Sequence, residues 1–177
     1  MSGPRETTQI LFVCLGNICR SPAAEGIFLH RARERGVAER FRVDSAALGP
    51  WHAGERPDPR TIAEAQRRGI HLPSIARQIR AEDFERFDLI VYMDAQNRAG
   101  LLKRGAPEAK MRAMGSFAAG AGAGAGTARG AGAGAHAHAH AEVADPYEHG
   151  PEAFERMFDH LEELVAGMLA ELAPARG

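Results

Sequence analysis

The sequence predicts an α/β domain, doubly wound, with a short parallel sheet of about four strands flanked by helices. Three observations predict it. The run Ile10-Leu11-Phe12-Val13 is continuously apolar, as a strand buried on both faces of a parallel sheet reads. Helical segments then alternate with further short apolar runs along the chain, the pattern that gives right-handed βαβ crossovers. The last element keeps a helical apolar period from Phe154 to Leu172.

After the first strand, Ser21-Pro22-Ala23-Ala24-Glu25 marks a helix start, with Ser at the cap, Pro in the first turn and Glu close behind. That helix is predicted to run to about Gly36. A second strand is expected around Phe41 to Ala46, followed by a helix from Asp58 to Arg68 that Gly69 stops. Leu89 to Met93 is the third apolar run, Gln96 to Lys103 the next helix, and Met111 to Met114 a short last strand. The mixed charged runs Arg31 to Arg42 and Glu82 to Asp88 read as solvated faces. In the final helix, Phe154, Met157, Phe158, Leu161, Leu164, Val165, Met168, Leu169 and Leu172 form the apolar stripe, and Glu155, Asp159, Glu162, Glu163 and Glu171 the polar one.

One stretch breaks the pattern. Residues 118 to 141 hold twelve Ala, seven Gly, three His, one Thr and one Arg. Frequent Gly is entropically costly to order, and nothing there can anchor a core. The segment reads as a flexible, low-complexity insertion in a surface loop, where extra length costs little. His136, His138 and His140 alternate within it, but no rigid neighbours support them as metal ligands, so no metal site and no cofactor are expected.

With 177 residues, 45% apolar and 25% charged, the chain fits a single domain spanning residues 1–177. A formal net charge of −1 gives no electrostatic reason to seek nucleic acid or an anionic membrane. No segment approaches the roughly 20 apolar residues of a membrane span, and the N-terminal MSGPRETTQ lacks the apolar stretch of a secretory signal. Only two cysteines are present, Cys14 and Cys19, which argues against both a disulfide scaffold and a structural zinc site. A cytoplasmic monomer is expected.

The chemistry is concentrated in Val13-Cys14-Leu15-Gly16-Asn17-Ile18-Cys19-Arg20-Ser21-Pro22. A strand, a short loop and a helix N-terminus aim successive backbone N–H groups at one point, an anion cradle backed by the helix dipole. Gly16 allows a tight turn, and Asn17 is among the few residues that tolerate left-handed angles. Arg20 adds a planar fork suited to two phosphate oxygens. The same helix terminus and cation favour the thiolate of Cys14, which is then placed to attack phosphorus and split hydrolysis into two steps. The Ser21 hydroxyl is positioned to donate to that sulfur when it leaves.

VCLGNICRSP resembles the signature of the low-molecular-weight protein tyrosine phosphatases. Further matches follow in order: Asp44-Ser45, Trp51-His52, Pro57-Asp58-Pro59-Arg60, Ala76-Arg77-Gln78, Met93-Asp94 and Asp145-Pro146-Tyr147. The resemblance implies hydrolysis of protein phosphotyrosine through a phosphocysteine intermediate, without a cofactor. Cys14 is then the nucleophile and Arg20 the phosphate clamp, with Leu15, Gly16, Asn17, Ile18, Cys19 and Ser21 around the phosphate. Asp145 protonates the leaving phenolate and then activates water. The resemblance also implies that Trp51 and Tyr147 wall a deep slot, and that Ser45 joins Asn17 and Ser21 in holding the loop. It leaves Cys19 as either a redox partner of Cys14 or a packing residue. Three positions depart from the usual family pattern: Ser74 stands for a His, Glu148 for a second Tyr, and Ser45-Ala46-Ala47-Leu48 for Ser-Ala-Gly-Thr.

Rival chemistries fare worse. A thiol-dependent arsenate reductase, similar in this signature, needs relay cysteines downstream, and none follows Cys19. The larger tyrosine phosphatases place their acid before the cysteine, whereas Asp145 follows it. A phosphate-binding module without turnover would lack Cys14, Arg20 or the acid, and all three are present.

Overall fold

The computed structural model describes residues 7–118 and 142–175. The expected insertion (apart from Ala118) and its three histidines fall on residues 119–141, outside the described residues. The chain forms β1 (Thr8–Cys14), α1 (Arg20–Glu34), β2 (Phe41–Ala47), α2 (Pro59–Arg67), α3 (Ala81–Arg86), β3 (Leu89–Tyr92), α4 (Ala95–Lys103), β4 (Met111–Ala113) and α5 (Pro151–Leu172).

All four strands are parallel and lie in the order β2-β1-β3-β4. The chain steps from β1 to one side to make β2, then returns to the other side for β3 and β4. Such a reversal opens a crevice beyond the carboxyl end of the central strand, the usual ligand site of open α/β sheets. Cys14 is the last residue of β1.

The period-2 alternation of β1 divides the core. Ile10, Phe12 and Cys14 face the layer of α1, α2 and α5, while Leu11 and Val13 face the layer of α3 and α4. Phe12 pairs with Ser45 in register, so Ser45 shares the α1 face of the sheet. The eight apolar side chains of α5 from Phe154 to Leu169 are buried, each contributing about 1.5–3 kcal/mol by removal from water. Gly167 lets α5 approach closely: a Cβ there would lie 1.9 Å from the Phe117 carbonyl oxygen.

Most predicted elements are present within one or two residues of their expected ends. Two expectations need correcting. α1 begins at Arg20 with Cys19 as its cap residue, so Ser21 lies inside the first turn and does not cap it; its hydroxyl is committed to the cysteine loop instead. The charged run from Glu82 includes a short helix, α3, whose Asp83 side chain accepts from the Arg80 N–H at 2.8 Å and is buried against Arg77. A run that reads as solvated is therefore half-buried, because a cation from elsewhere in the chain satisfies its carboxylate.

Candidate active site

The loop from Cys14 to Arg20 curls around the end of β1. Asn17 adopts φ 57°, the only positive φ of a non-glycine residue among the described residues. Its side chain explains why this conformation holds. Asn17 Oδ1 accepts from the Arg77 N–H at 3.1 Å, and Nδ2 donates to Ser21 Oγ at 2.8 Å and to Ser45 Oγ at 2.9 Å. The Asn17 N–H points at Cys14 Sγ, 3.3 Å away, and Ser21 Oγ lies 3.0 Å from the same sulfur. Cys14, 3% exposed, thus sits at the floor of a polar cradle.

Arg20 is equally buried beside it. Asp94 accepts from its Nη1, as does the carbonyl of Val143 at 3.1 Å, while Nη2 turns toward Asp145 Oδ2 at 3.4 Å. Burial opposes the Arg20 charge, yet Cys14, Asp94 and Asp145 outweigh it and raise its pKa above the ordinary value. Asp94 also accepts from the Asn97 N–H at 2.8 Å and so caps α4. The segment that carries Asp145 is fixed at its root by the Val143 N–H, which donates to the Met93 carbonyl at 2.9 Å.

These groups open into one pocket lined by Cys14, Leu15, Gly16, Ile18, Cys19, Arg20, Trp51, His52, Asp145 and Tyr147. Its walls are aromatic and aliphatic. Trp51 and Tyr147 stand at the mouth, 64% and 45% exposed. His52 holds Glu55 through Nδ1 at 2.8 Å, and its ring lies 6.2 Å from that of Tyr147. Asp145 stands on the rim, where its Oδ1 accepts from the Tyr147 N–H at 3.1 Å. Cys14 and Cys19 are both free thiols, and burial pushes Cys19 up to about 12, which keeps it protonated.

The structure therefore brings every sequence-predicted site residue to one place: Cys14 through Ser21 in the loop, Ser45 behind it, Trp51, Asp145 and Tyr147 around the opening. Sequence reasoning missed Glu25, Asp94, His52 and Arg60 as parts of the assembly. Asp94 had a local signal, an Asp directly after an apolar strand and before a helix. Arg60 and His52 stood in stretches that resemble the family, but with no role attached, and Glu25 had no signal, since it acts across more than one element.

Fold and site define a class: an α/β protein with a cysteine-centred polar loop at the switch point of its sheet. The family model described as low molecular weight phosphotyrosine protein phosphatase matches residues 9–128. The low molecular weight phosphotyrosine protein phosphatase of Schizosaccharomyces pombe is 35% identical over 168 residues, covering 93% of this chain and 97% of that protein. A crystal structure of a protein tyrosine phosphatase from Entamoeba histolytica superposes with a TM-score of 0.78 at 34% identity, covering 94% of this chain and 97% of that one. A Drosophila arginine phosphatase superposes at 0.76 with 27% identity, covering 94% of this chain and 99% of that one. The chain belongs to the low molecular weight phosphotyrosine protein phosphatase family, and with it to the phosphoric monoester hydrolases. No described helix is long and apolar enough to cross a membrane.

Proposed function

We propose that this protein hydrolyses protein phosphotyrosine through a phosphocysteine intermediate, with Cys14 as nucleophile, Arg20 as phosphate clamp and Asp145 as general acid and base. The observation that carries the reading is the direction of hydrogen bonds at the sulfur. Asn17 Oδ1 accepts from Arg77, so Nδ2 must face the two serines and donate to both. Ser21 Oγ is thereby an acceptor from Asn17, and its own proton is left for Cys14 Sγ. A sulfur that receives an O–H and an N–H bond is supported as an anion.

The phosphate enters over the loop's N–H groups, with Arg20 Nη2 turning from Asp145 to a phosphoryl oxygen while Asp94 and Val143 keep hold of Nη1. Cys14 Sγ forms a bond to phosphorus as the P–O bond to the phenol breaks, and Asp145 gives its proton to that oxygen. Asp145, now a carboxylate, takes a proton from water. The hydroxide portion bonds to phosphorus, and the S–P bond breaks to return the thiolate, which Ser21 receives with its hydroxyl proton. Phosphate and phenol are the products.

The pocket walls support an aryl substrate. Leu15, Ile18, Trp51 and Tyr147 offer apolar and aromatic surface along the slot, and Asp145 is the one carboxylate among its lining residues. A tyrosine ring spans from the mouth to the cradle; the shorter phosphoserine side chain leaves its phosphate above it. Two free cysteines support a reducing, cytoplasmic setting, and a monomer is sufficient for this site.

The reading is tested by assaying p-nitrophenyl phosphate and peptides bearing phosphotyrosine, phosphoserine or phosphoarginine, with wild type, Cys14→Ser and Asp145→Ala. Turnover of the aryl esters is expected, with none in Cys14→Ser. Asp145→Ala should lose roughly 100-fold or more on the phosphotyrosine peptide and less on nitrophenyl phosphate, whose phenolate leaves with less help. Preferred turnover of phosphoarginine would reassign the substrate while keeping the nucleophile. A folded wild type that turns over none of the four would end the phosphatase reading.

A further inference from the structure

The catalytic loop is tied to a buried carboxyl that the reaction above does not use. Glu25 lies on α1 one turn after Ser21 and is 4% exposed. Its Oε2 accepts from Ser45 Oγ at 2.8 Å; Ser45 Oγ accepts from Asn17 Nδ2 at 2.9 Å. The same Nδ2 donates to Ser21 Oγ, which lies 3.0 Å from the sulfur of Cys14. Five side chains from β1, the loop, α1 and β2 thus form one continuous buried chain.

How firmly it is anchored depends on the far end. Ser45 has a single proton. An ionised Glu25 can only accept, so it draws that proton to itself and leaves the Ser45 oxygen to hold Asn17. A neutral carboxyl can instead donate to Ser45 and holds the Ser45 proton less strongly, although that proton still points away from Asn17, whose Nδ2 only donates. The charged bond to Glu25 anchors the Ser45 hydroxyl on which Asn17 rests, and the position of Asn17 in turn sets that of Ser21.

The surroundings set when this carboxyl is charged. Asp44, beside Ser45 on β2, and Arg77, in the loop before α3, act on it through space, although Arg77 is shared between Asp44 and Asp83. Ser74 is within reach, but its buried hydroxyl makes no well-formed hydrogen bond. Among the described residues no cation forms a salt bridge with Glu25. Burial, opposed by the Ser45 bond and reinforced by Asp44, pushes the Glu25 carboxyl up to about 7.

We propose that Glu25 is a positioning residue of the reaction, which through Ser45 and Asn17 sets the hydrogen bond that Ser21 gives to Cys14 and does so only while ionised. The inference rests on the phosphocysteine reaction proposed above.

The test compares wild type with Glu25→Gln on p-nitrophenyl phosphate from about pH 5 to about pH 8.5. Gln keeps the shape and a neutral acceptor but never ionises. The ratio of wild-type to variant kcat should stay near one at the acid end. It should rise about three- to tenfold above neutrality along a single ionisation, because the Ser21 bond matters most when sulfur leaves phosphorus. Ser45→Ala cuts the chain: in that background Glu25→Gln should change nothing further, and the pH-dependent ratio should vanish. An infrared carboxylic-acid band that fades as pH rises through neutrality in wild type, and is missing in Glu25→Gln, reports the titration directly. A pH-independent ratio, or a ratio that persists in Ser45→Ala, overturns the inference. These outcomes are distinct from failure of the reaction itself, in which wild type would show no turnover at any pH.

Discussion

The guanidinium of Arg60 donates from α2 to the backbone carbonyl of Tyr147 at 2.9 Å. It also donates to the His149 carbonyl at 3.0 Å and stacks over Phe154 of α5, 4.5 Å from the ring centroid. Asp58 holds the other side of the fork at 2.9 and 3.0 Å while capping α2 through the Arg60 N–H. Burial raises the Asp58 pKa, but its bonds to Arg60 outweigh this and lower it, which keeps the pair charged. The Pro57-Asp58-Pro59-Arg60 sequence thus clamps the loop that presents Asp145 and Tyr147.

Removing the clamp should cost catalysis more than stability, because the carbonyls it holds are exposed and water can replace it. Arg60→Ala should lower kcat on a phosphotyrosine peptide by roughly tenfold, with misplacement of the acid as the cause. Arg60→Lys, a point donor without the fork, should fall between the two. A kcat for Arg60→Ala within twofold of wild type would mean the loop places Asp145 unaided.

A second prediction concerns the wall of the slot. The Trp51 ring rests on Gly49: a Cβ on Gly49 would lie 1.9 Å from the indole, so any side chain there displaces the ring. Gly49→Ala should therefore raise KM for the peptide by about three- to tenfold while leaving inhibition by inorganic phosphate unchanged, since aromatic contacts are worth about 0.5–1.5 kcal/mol. Trp51 is the single tryptophan of the chain, so its fluorescence reports the displacement without interference. An unchanged KM with shifted fluorescence would remove Trp51 from substrate binding.

What was legible in the sequence was what is local. Strand β1, the turn at Gly16 and Asn17, and the start of α1 are contiguous, so residue types and spacing alone announce an anion loop. The C-terminal helix was legible because its apolar stripe runs over about five turns. The supports of the loop were legible only in part: Ser45 came with the family resemblance, and Glu25 did not. Glu25 reads as an ordinary first-turn acid of a helix, and only the pairing of Phe12 with Ser45 turns it into the end of a buried chain. Helix α3 was hidden for a related reason: Asp83 is buried only because Arg77 reaches it from the preceding loop. Ser21 was read both as a cap and as a partner of the sulfur, because hydroxyls serve both, and the structure keeps only the second.

The last prediction is thermodynamic. The folded protein raises the Glu25 carboxyl from 4.5 to about 7, so between these values the native state binds a proton that the unfolded chain has released. The stability that the neutral, buried carboxyl contributes is fully present below about pH 4.5 and is lost as pH rises through about 7. At about 1.4 kcal/mol for each tenfold change in protonation, the ceiling is roughly 3 kcal/mol. Glu25→Gln cannot ionise, so its stability relative to wild type should increase between about pH 5 and about pH 8, approaching that ceiling at the alkaline end. Urea unfolding of both proteins across this range measures the difference, with equal m-values confirming that the same surface is exposed. Parallel stability profiles would show that Glu25 is already ionised at acid pH. The chain from Ser45 to Cys14 would then be anchored by charge at every pH at which the enzyme is folded.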